Sequence, residues 1–197
     1  MSVTGIGHKS KVYLGLGSNI GNKEANVAWA LKLLPDHVAV SEVSSIYESE
    51  PVGFKEQPWF VNAVCSAYTD LPAPQLLDYL KHIESQMGRI MSFKDAPRVI
   101  DIDILFYDDQ VINTPDLTIP HPRIAERAFV LLPLSELNPL LLHPTRARTV
   151  AQLLSALTAP ERVRKRKWSV LYGSGLTANP KGTLIEENGP SEAGDRR

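Results

Sequence analysis

One nine-residue stretch, Val99-Ile100-Asp101-Ile102-Asp103-Ile104-Leu105-Phe106-Tyr107, constrains this chain more than any other. Its β-branched and aliphatic residues, with polar and apolar positions alternating, predict a strand. Successive strand side chains point to opposite faces, so Asp101 and Asp103 share one face while Ile100, Ile102, Ile104 and Phe106 share the other. The acidic face continues with Leu105 and Tyr107, which leaves a strand apolar on both sides except for two acids. Such a strand reads as a built site rather than a solvated sheet face, because carboxylates facing an interior need partners. Two residues of rise put the two Cα atoms roughly 7 Å apart, so flexed side chains can converge on one or two hard cations. Arg98, at the start of the strand, can engage phosphate oxygens in a bidentate manner. Carboxylates suited to Mg2+ beside an arginine suited to phosphate point to chemistry on a nucleotide polyphosphate, with several phosphate chemistries still open.

The rest of the chain gives this strand a frame. Lys11 to Leu16 predicts a first strand, running into a turn at Gly15-Leu16-Gly17-Ser18-Asn19-Ile20-Gly21-Asn22. Asn22 suits the cap of a helix over Lys23 to Leu34. Val38 to Tyr47 and Phe60 to Thr69 predict two further strands, joined by a loop too long for a tight hairpin, and loops of that length are often functional. A second helix is expected from Pro74 to Met87, with Pro74 at the first helical position and Gly88 closing the end. The acidic strand follows, and Asp108-Asp109 turns it into a hairpin with Gln110 to Asn113. The order β-α-β-β-α-β predicts an α+β, ferredoxin-like sandwich with an extra β-hairpin. Helices over Ile124 to Leu137 and Thr149 to Leu157 cap it on the C-terminal side.

Length fits one domain, expected over residues 11–172, with a flexible N-terminus over 1–10 and a disordered tail over 173–197 that is rich in Gly, Pro, Asn and Glu. A formal net charge of −1 gives no ground for nucleic-acid or membrane binding. The basic run Arg162 to Lys167 reads as a solvated segment. Cys65, the single cysteine, excludes an internal disulfide and lies in an apolar strand as a small core residue. No run approaches the ~18 apolar residues of a membrane span, and Met1 to Ser10 lacks the apolar segment of a signal peptide. A soluble, cytoplasmic protein is expected.

Other constellations are compatible with the acidic strand. Gly15-x-Gly17-x-x-x-Gly21 misses the dinucleotide-binding spacing by one residue and lacks the ending of a P-loop, so it reads as a tight turn. Phe60 and Asn62 share a face at the start of their strand, and a ring for stacking with an amide for paired hydrogen bonds suits a flat, amide-bearing heterocycle. Glu84, Arg89 and Arg98 frame the start of the acidic strand. His121 and Arg127, with Arg98, can neutralise a polyphosphate. A palm-type nucleotidyltransferase would also use paired acids, but no further carboxylate strand or basic template track is evident.

Together these motifs resemble the 6-hydroxymethyl-7,8-dihydropterin pyrophosphokinase family of folate biosynthesis. The likeness rests on Gly15-x-Gly17-Ser18-Asn19, Ser49-x-Pro51-x-Gly53, Gln57-Pro58-x-Phe60-x-Asn62, Glu84-x-x-x-Gly88-Arg89, Lys94-x-Ala96-Pro97-Arg98-x-x-Asp101-x-Asp103-Ile104-Leu105, Pro120-His121 and Arg127-x-Phe129. The resemblance implies a monomer that uses ATP and two Mg2+ ions to transfer the β,γ-diphosphate of ATP to the pterin hydroxymethyl, releasing AMP. It implies Asp101 and Asp103 as metal ligands, and these two with Arg89 and Arg98 as the catalytic set. It implies nucleotide contacts from Lys81, Glu84, Arg89, Arg98, the main chain of Ile104, Thr118, His121 and Arg127. The pterin falls to Phe60 and Phe129 as sandwiching rings, with Asn62, Ser49, Pro51, Val52 and Gly53 along its edge. Two departures stand out. Met91 replaces a second arginine of many members, and the Ser92–Ala96 loop is one residue short and lacks a common tryptophan.

Overall fold

A computed structural model describes residues 9–90, 95–158, 160–168, 176–178 and 184–186. The first strand, β1 (Ser10–Ser18), leads into helix α1 (Lys23–Leu33), whose Asn22 cap accepts a hydrogen bond from the Ala25 amide at 3.2 Å. Next come β2 (Val38–Val43), β3 (Ile46–Ser49), β4 (Phe60–Thr69) and helix α2 (Ala73–Gln86). Strand β5 (Asp101–Tyr107) carries the acids. Short strands β6 (Ile112–Asn113) and β7 (Thr118–Ile119), helix α3 (Ala128–Leu137), strands β8 (Leu142–His143) and β9 (Arg148–Thr149), helix α4 (Val150–Ser155) and strand β10 (Val163–Arg166) follow.

The central sheet runs β10-β3-β4-β1-β5, with β2 also paired to β4, and every pairing is antiparallel. Helices α1 and α2 cover one face. There Val12, Leu14, Leu16, Ile102 and Ile104 pack against Val27, Leu31, Leu76, Leu80 and Ile83. Helices α3 and α4 cover the other, where Tyr13, Val64, Leu105 and Phe106 meet Leu131, Leu134, Val150 and Leu153. The result is a mixed fold with one antiparallel sheet between two pairs of helices. Burying both faces accounts for the largely apolar character of β4 and, its two acids aside, of β5. Cys65 is buried in the first of these cores, as expected.

Four local expectations need correction. Val38 to Tyr47 is two strands rather than one. The break falls where the Ser44 amide donates to Val64 O at 2.9 Å and the Val64 amide donates to Ser44 Oγ at 3.0 Å, so a side chain replaces a ladder bond. Strand β5 contains a bulge: Tyr13 pairs with Phe106 and Leu14 with Ile104, leaving Leu105 unmatched. Two residues opposing one puts Leu105 and Phe106 on the same side, so Phe106 joins the α3/α4 core and Tyr107 returns to the α1/α2 core. The expected hairpin partner of β5 pairs elsewhere. Asp108 turns back onto β1, accepting the Lys11 amide at 2.7 Å, and β6 pairs with β7. Finally, the basic run is solvated as expected but is also a strand: β10 pairs with β3, and Arg162, Arg166 and Lys165 form ion pairs with Glu50, Glu48 and Glu136 at the surface.

Of the expected flexible N-terminus, residues 1–8 lie outside the described residues. So does most of the expected disordered tail, in which Leu176–Ala178 and Leu184–Glu186 pair with each other. Met91 and residues 92–94 of the shortened loop also lie outside.

Candidate active site

The acids stand on the α3 side of β5, alternating with Ile100, Ile102 and Ile104, which point into the opposite core. That half of the expected alternation holds because the bulge comes only after Ile104. Above them opens a cleft of about 300 Å3, floored by β1 and β4 and walled by the β3–β4 loop, the segment before β5, and the chain from His121 to Val130.

Helix α2 delivers two of the charged groups. Gly88 adopts φ +83° just past the helix end, and the Arg89 and Gly88 amides donate to Glu84 O and Ser85 O, both at 3.0 Å. This is the 6→1 and 5→2 closure that a left-handed glycine permits. It throws the Arg89 side chain back over the last turn. There its guanidinium lies 2.6 Å from Glu84 Oε2 and 2.5 Å from Asp101 Oδ1. Glu84 is only 2% exposed and also accepts from Lys81 Nζ at 3.0 Å and from the Ile102 amide at 2.7 Å. Its carboxylate therefore anchors Arg89 and ties α2 to β5.

Asp101 is gripped twice, by Arg89 on Oδ1 and by Arg98 on Oδ2 at 2.7 Å. Burial pushes its carboxyl up, but the Arg98 and Arg89 guanidiniums prevail and hold it below the usual carboxylate range. Asp103 behaves in the opposite way. Burial first, and the charge of Asp101 second, raise its carboxyl to about 6. Its nearest basic group among the described residues is His121 Nε2 at 4.0 Å. Burial, and then Arg127, lower the His121 imidazole to about 4, so it is neutral near pH 7. Its Nδ1 accepts the Arg123 amide at 3.2 Å, which leaves Nε2 as the protonated, donating nitrogen facing Asp103. Arg127 lies over the Phe129 ring at 5.5 Å, and no acceptor among the described residues reaches its buried Nε.

The other end of the cleft is flat and amide-lined. Asn62 is 6% exposed and donates to Tyr47 O at 3.2 Å and Ser49 Oγ at 3.0 Å. The Phe60 ring lies beside it, 5.8 Å from the Arg98 guanidinium. Gly15 and Gly17, expected in a tight turn, lie instead within β1 as part of the floor. A β-carbon on Gly17 would come 3.3 Å from Asn62 Oδ1, and one on Gly15 would come 3.3 Å from Leu105. The turn itself follows, with Gly21 at φ +64°.

The structure thus gathers Ser49, Val52, Phe60, Asn62, Lys81, Arg89, Arg98, Asp101, Asp103, His121, Arg127 and Phe129 around one cleft. Other expected site residues sit apart from its lining. Glu84 lies beneath Arg89, Pro51 is buried, Gly53 lies against Asp95, and Thr118 belongs to the β6–β7 hairpin. The Ile104 side chain packs in the core, which leaves only its main chain for a ligand. Three charged groups on the cleft wall carry no expectation from the sequence: Glu50, Asp95 and Arg123. Asp95 has φ +62°, a conformation no local pattern announces. Glu50 reaches the wall because Arg162, on the segment leading to β10, holds its carboxylate. The floor glycines did leave a signal, since period-two glycines in a strand mark close approach.

A family model described as 7,8-dihydro-6-hydroxymethylpterin-pyrophosphokinase (HPPK) matches residues 13–139. The folic acid synthesis protein of Dictyostelium discoideum is 47% identical over 134 residues, covering 68% of this chain but only 20% of that protein. The 2-amino-4-hydroxy-6-hydroxymethyldihydropteridine pyrophosphokinase of Aquifex aeolicus is 43% identical over 133 residues, 68% of this chain and 83% of its own length. A crystal structure of wild-type Plasmodium falciparum HPPK-DHPS superposes with a TM-score of 0.62 at 18% identity, covering 75% of this chain and 44% of that one, a likeness of fold.

Proposed function

The chain belongs to the 7,8-dihydro-6-hydroxymethylpterin-pyrophosphokinase family, and we propose that it transfers the β,γ-diphosphate of ATP to the hydroxyl of 6-hydroxymethyl-7,8-dihydropterin, giving the pterin diphosphate and AMP. One observation carries this reading. A single cleft holds two strand-borne carboxylates ringed by Arg89, Arg98 and Arg127 at one end, and a ring-and-amide recess at the other. A polyphosphate donor and a flat heterocyclic alcohol are what such ends bind, and their junction lies at Arg98. The ferredoxin-like reading of the fold draws support from the antiparallel order β5-β1-β4-β3, which a β-α-β-β-α-β chain would produce.

Asp101 and Asp103 fit a hard divalent cation. Their side chains share one strand face, and among the described residues Asp103 has no lysine or arginine in ion-pair contact, only the neutral His121 at 4.0 Å. Mg2+ is often held in this way, by one or two carboxylates with phosphate and water completing the shell. When bound, two such ions would offset phosphate charge and lower the pKa of the attacking alcohol. The protein's own part is alignment and charge. Arg89 is fixed by Glu84 and Arg98 by its main chain, so both can pass their Asp101 bonds to phosphate oxygens without a search. Arg127 brings a guanidinium whose Nε has no acceptor among the described residues, and His121 brings an N–H donor rather than a charge. Phe60 and Phe129 would stack the pterin, and Asn62, Ser49 and the main chain at Val52 would read its edge. The hydroxyl proton leaves to solvent or to a phosphate oxygen, and no covalent enzyme intermediate is required.

The test is an assay of purified protein with ATP, Mg2+ and the pterin alcohol. AMP should form in step with pterin diphosphate and only when all three are present. ADP in place of AMP, or AMP without the alcohol, would refute the assignment.

A further inference from the structure

Helix α3 begins without a cap of its own. Its N-cap residue, Arg127, makes no side-chain bond to the first turn, and its guanidinium lies over the Phe129 ring at 5.5 Å on the cleft wall. A helix start leaves its first backbone amides without intrahelical acceptors, and a serine, threonine, aspartate or asparagine usually supplies one. Here Arg127 O accepts the Val130 and Leu131 amides at 3.2 and 3.0 Å. The Phe129 amide is served from 32 residues along the chain, by Glu161 Oε1 at 2.9 Å. Glu161 stands immediately before the residue that the β3–β4 loop holds. The Arg162 amide and Nε donate to Glu50 Oε1 and Oε2 at 3.0 and 3.1 Å, and Arg162 O accepts the Glu50 amide at 3.1 Å. One residue further on, Val163 pairs with Ser49.

The chain from Glu161 to Val163 therefore joins two walls of the acceptor end. On one side it pairs with Ser49 and Glu50, and on the other it holds the main chain of Phe129. We propose that Glu161 is a positioning residue for the pterin alcohol. Its carboxylate caps α3 in place of Arg127 and sets the distance from the Phe129 ring to the edge-reading groups at Ser49 and Val52. The proposal rests on the functional reading above. Arg127 cannot cap the helix that it begins, because a guanidinium has no acceptor to offer an amide. A carboxylate supplied from the segment before β10 gives that amide a charge-assisted bond, at the helix end that favours negative charge. The Arg127 amide itself donates to Ile124 O at 3.3 Å and does not depend on Glu161. What the Glu161 bond fixes is thus the ring rather than the guanidinium.

Steady-state kinetics of Glu161 variants test this. Glu161→Ala should raise KM for the pterin alcohol about tenfold, the loss of one charge-assisted hydrogen bond, while kcat and KM for ATP stay within about twofold. The ring meets the heterocycle equally before and during transfer, so misplacing it removes uniform binding and leaves kcat alone. Glu161→Gln keeps an oxygen for the Phe129 amide and should hold the pterin KM within about threefold of wild type. In a Phe129→Ala background, Glu161→Ala should change the pterin KM less than about twofold, because the ring that it places is gone. A pterin KM for Glu161→Ala within about twofold of wild type would overturn the proposal. So would an equal rise in the KM for ATP, a Glu161→Gln as impaired as alanine, or an undiminished effect in the Phe129→Ala background. If Glu161→Ala fails to fold, Glu161→Asp keeps the charge but withdraws the carboxylate by one methylene. It should show the same split between the two KM values, and an unchanged pterin KM there overturns the proposal as well. If the wild type makes no AMP, the functional reading fails in the wild type itself, and the positioning role falls with it. Failure of the inference alone shows only in the variants.

Discussion

Replacing Glu84 with alanine should destabilise this protein far more than the loss of one helix carboxylate normally would. The side chain is 2% exposed and receives the Ile102 amide at 2.7 Å, Lys81 Nζ at 3.0 Å and Arg89 at 2.6 Å. Arg89 and Lys81 keep side-chain exposures of 25% and 47%, so water can take over much of what they lose. The Ile102 amide has no such recourse. Leaving it unsatisfied costs about 1–3 kcal/mol, and charge-assisted bonds to the two cations add about 1–2 kcal/mol after solvent discount. The expected total is about 2–5 kcal/mol, a fall in Tm of roughly 4–20 °C for a domain of this size. Glu84→Gln keeps an oxygen for Ile102 and gives up only charge, so it should cost about half as much. Thermal or urea unfolding of the three proteins checks both figures. The argument fails if alanine costs less than about 1 kcal/mol, or if glutamine costs as much as alanine.

Four further outcomes follow from the site. Asp101→Ala should reduce kcat by at least about 10²-fold while the protein stays folded, and a smaller loss in a titration to saturating Mg2+ would remove Asp101 from the catalytic set. Asp103 has a folded pKa of about 6, above its unfolded value, so its contribution to stability is present below about pH 4 and is lost as pH rises to about 6. In EDTA, wild type should therefore lose Tm relative to Asp103→Asn over that interval, and parallel Tm curves would contradict the shift. Gly17→Ala places a β-carbon 3.3 Å from Asn62 Oδ1, so KM for the pterin should rise while stability stays within about 1 kcal/mol of wild type. Equal rises in the KM for ATP would show that the floor is not specific to the acceptor. Burial pushes the Cys65 thiol up to about 12, so a thiol reagent should label it only at the rate of unfolding, and fast labelling of native protein would show an opening in the sheet.

What the sequence makes legible is what local chemistry decides. Asn22 caps α1 and Gly88 ends α2 because the signals lie within a few residues of the structure they produce. Partners far along the chain are another matter. Ser44 splits one expected strand by bonding Val64, twenty residues away, and Glu84 becomes a buried anchor through Ile102, eighteen residues on. Neither serine nor glutamate announces such a role in its own neighbourhood. The basic run at Arg162 becomes a strand because β3 offers it an open edge with Glu48 and Glu50 alongside, which composition alone does not reveal.

The acidic strand shows why the site was more legible than the fold around it. Alternation assumes an unbroken pleat, and β5 breaks its pleat at Leu105. Everything read beyond that point was assigned to the wrong face, as Phe106 and Tyr107 show. Everything before it keeps its expected face, because Asp101 to Ile104 stays in register with Gly17 to Leu14. Had the extra residue fallen at Ile102, Asp101 and Asp103 would have pointed to opposite faces, one of them into the α1/α2 core with no arginine to meet it. Burying that carboxylate alone would cost more than the net stability of most domains can absorb. A bulge is therefore tolerable in this strand only after the second acid. The two carboxylates that signal the chemistry also restrict where the strand can deviate, so the pattern is most reliable where it bears on function.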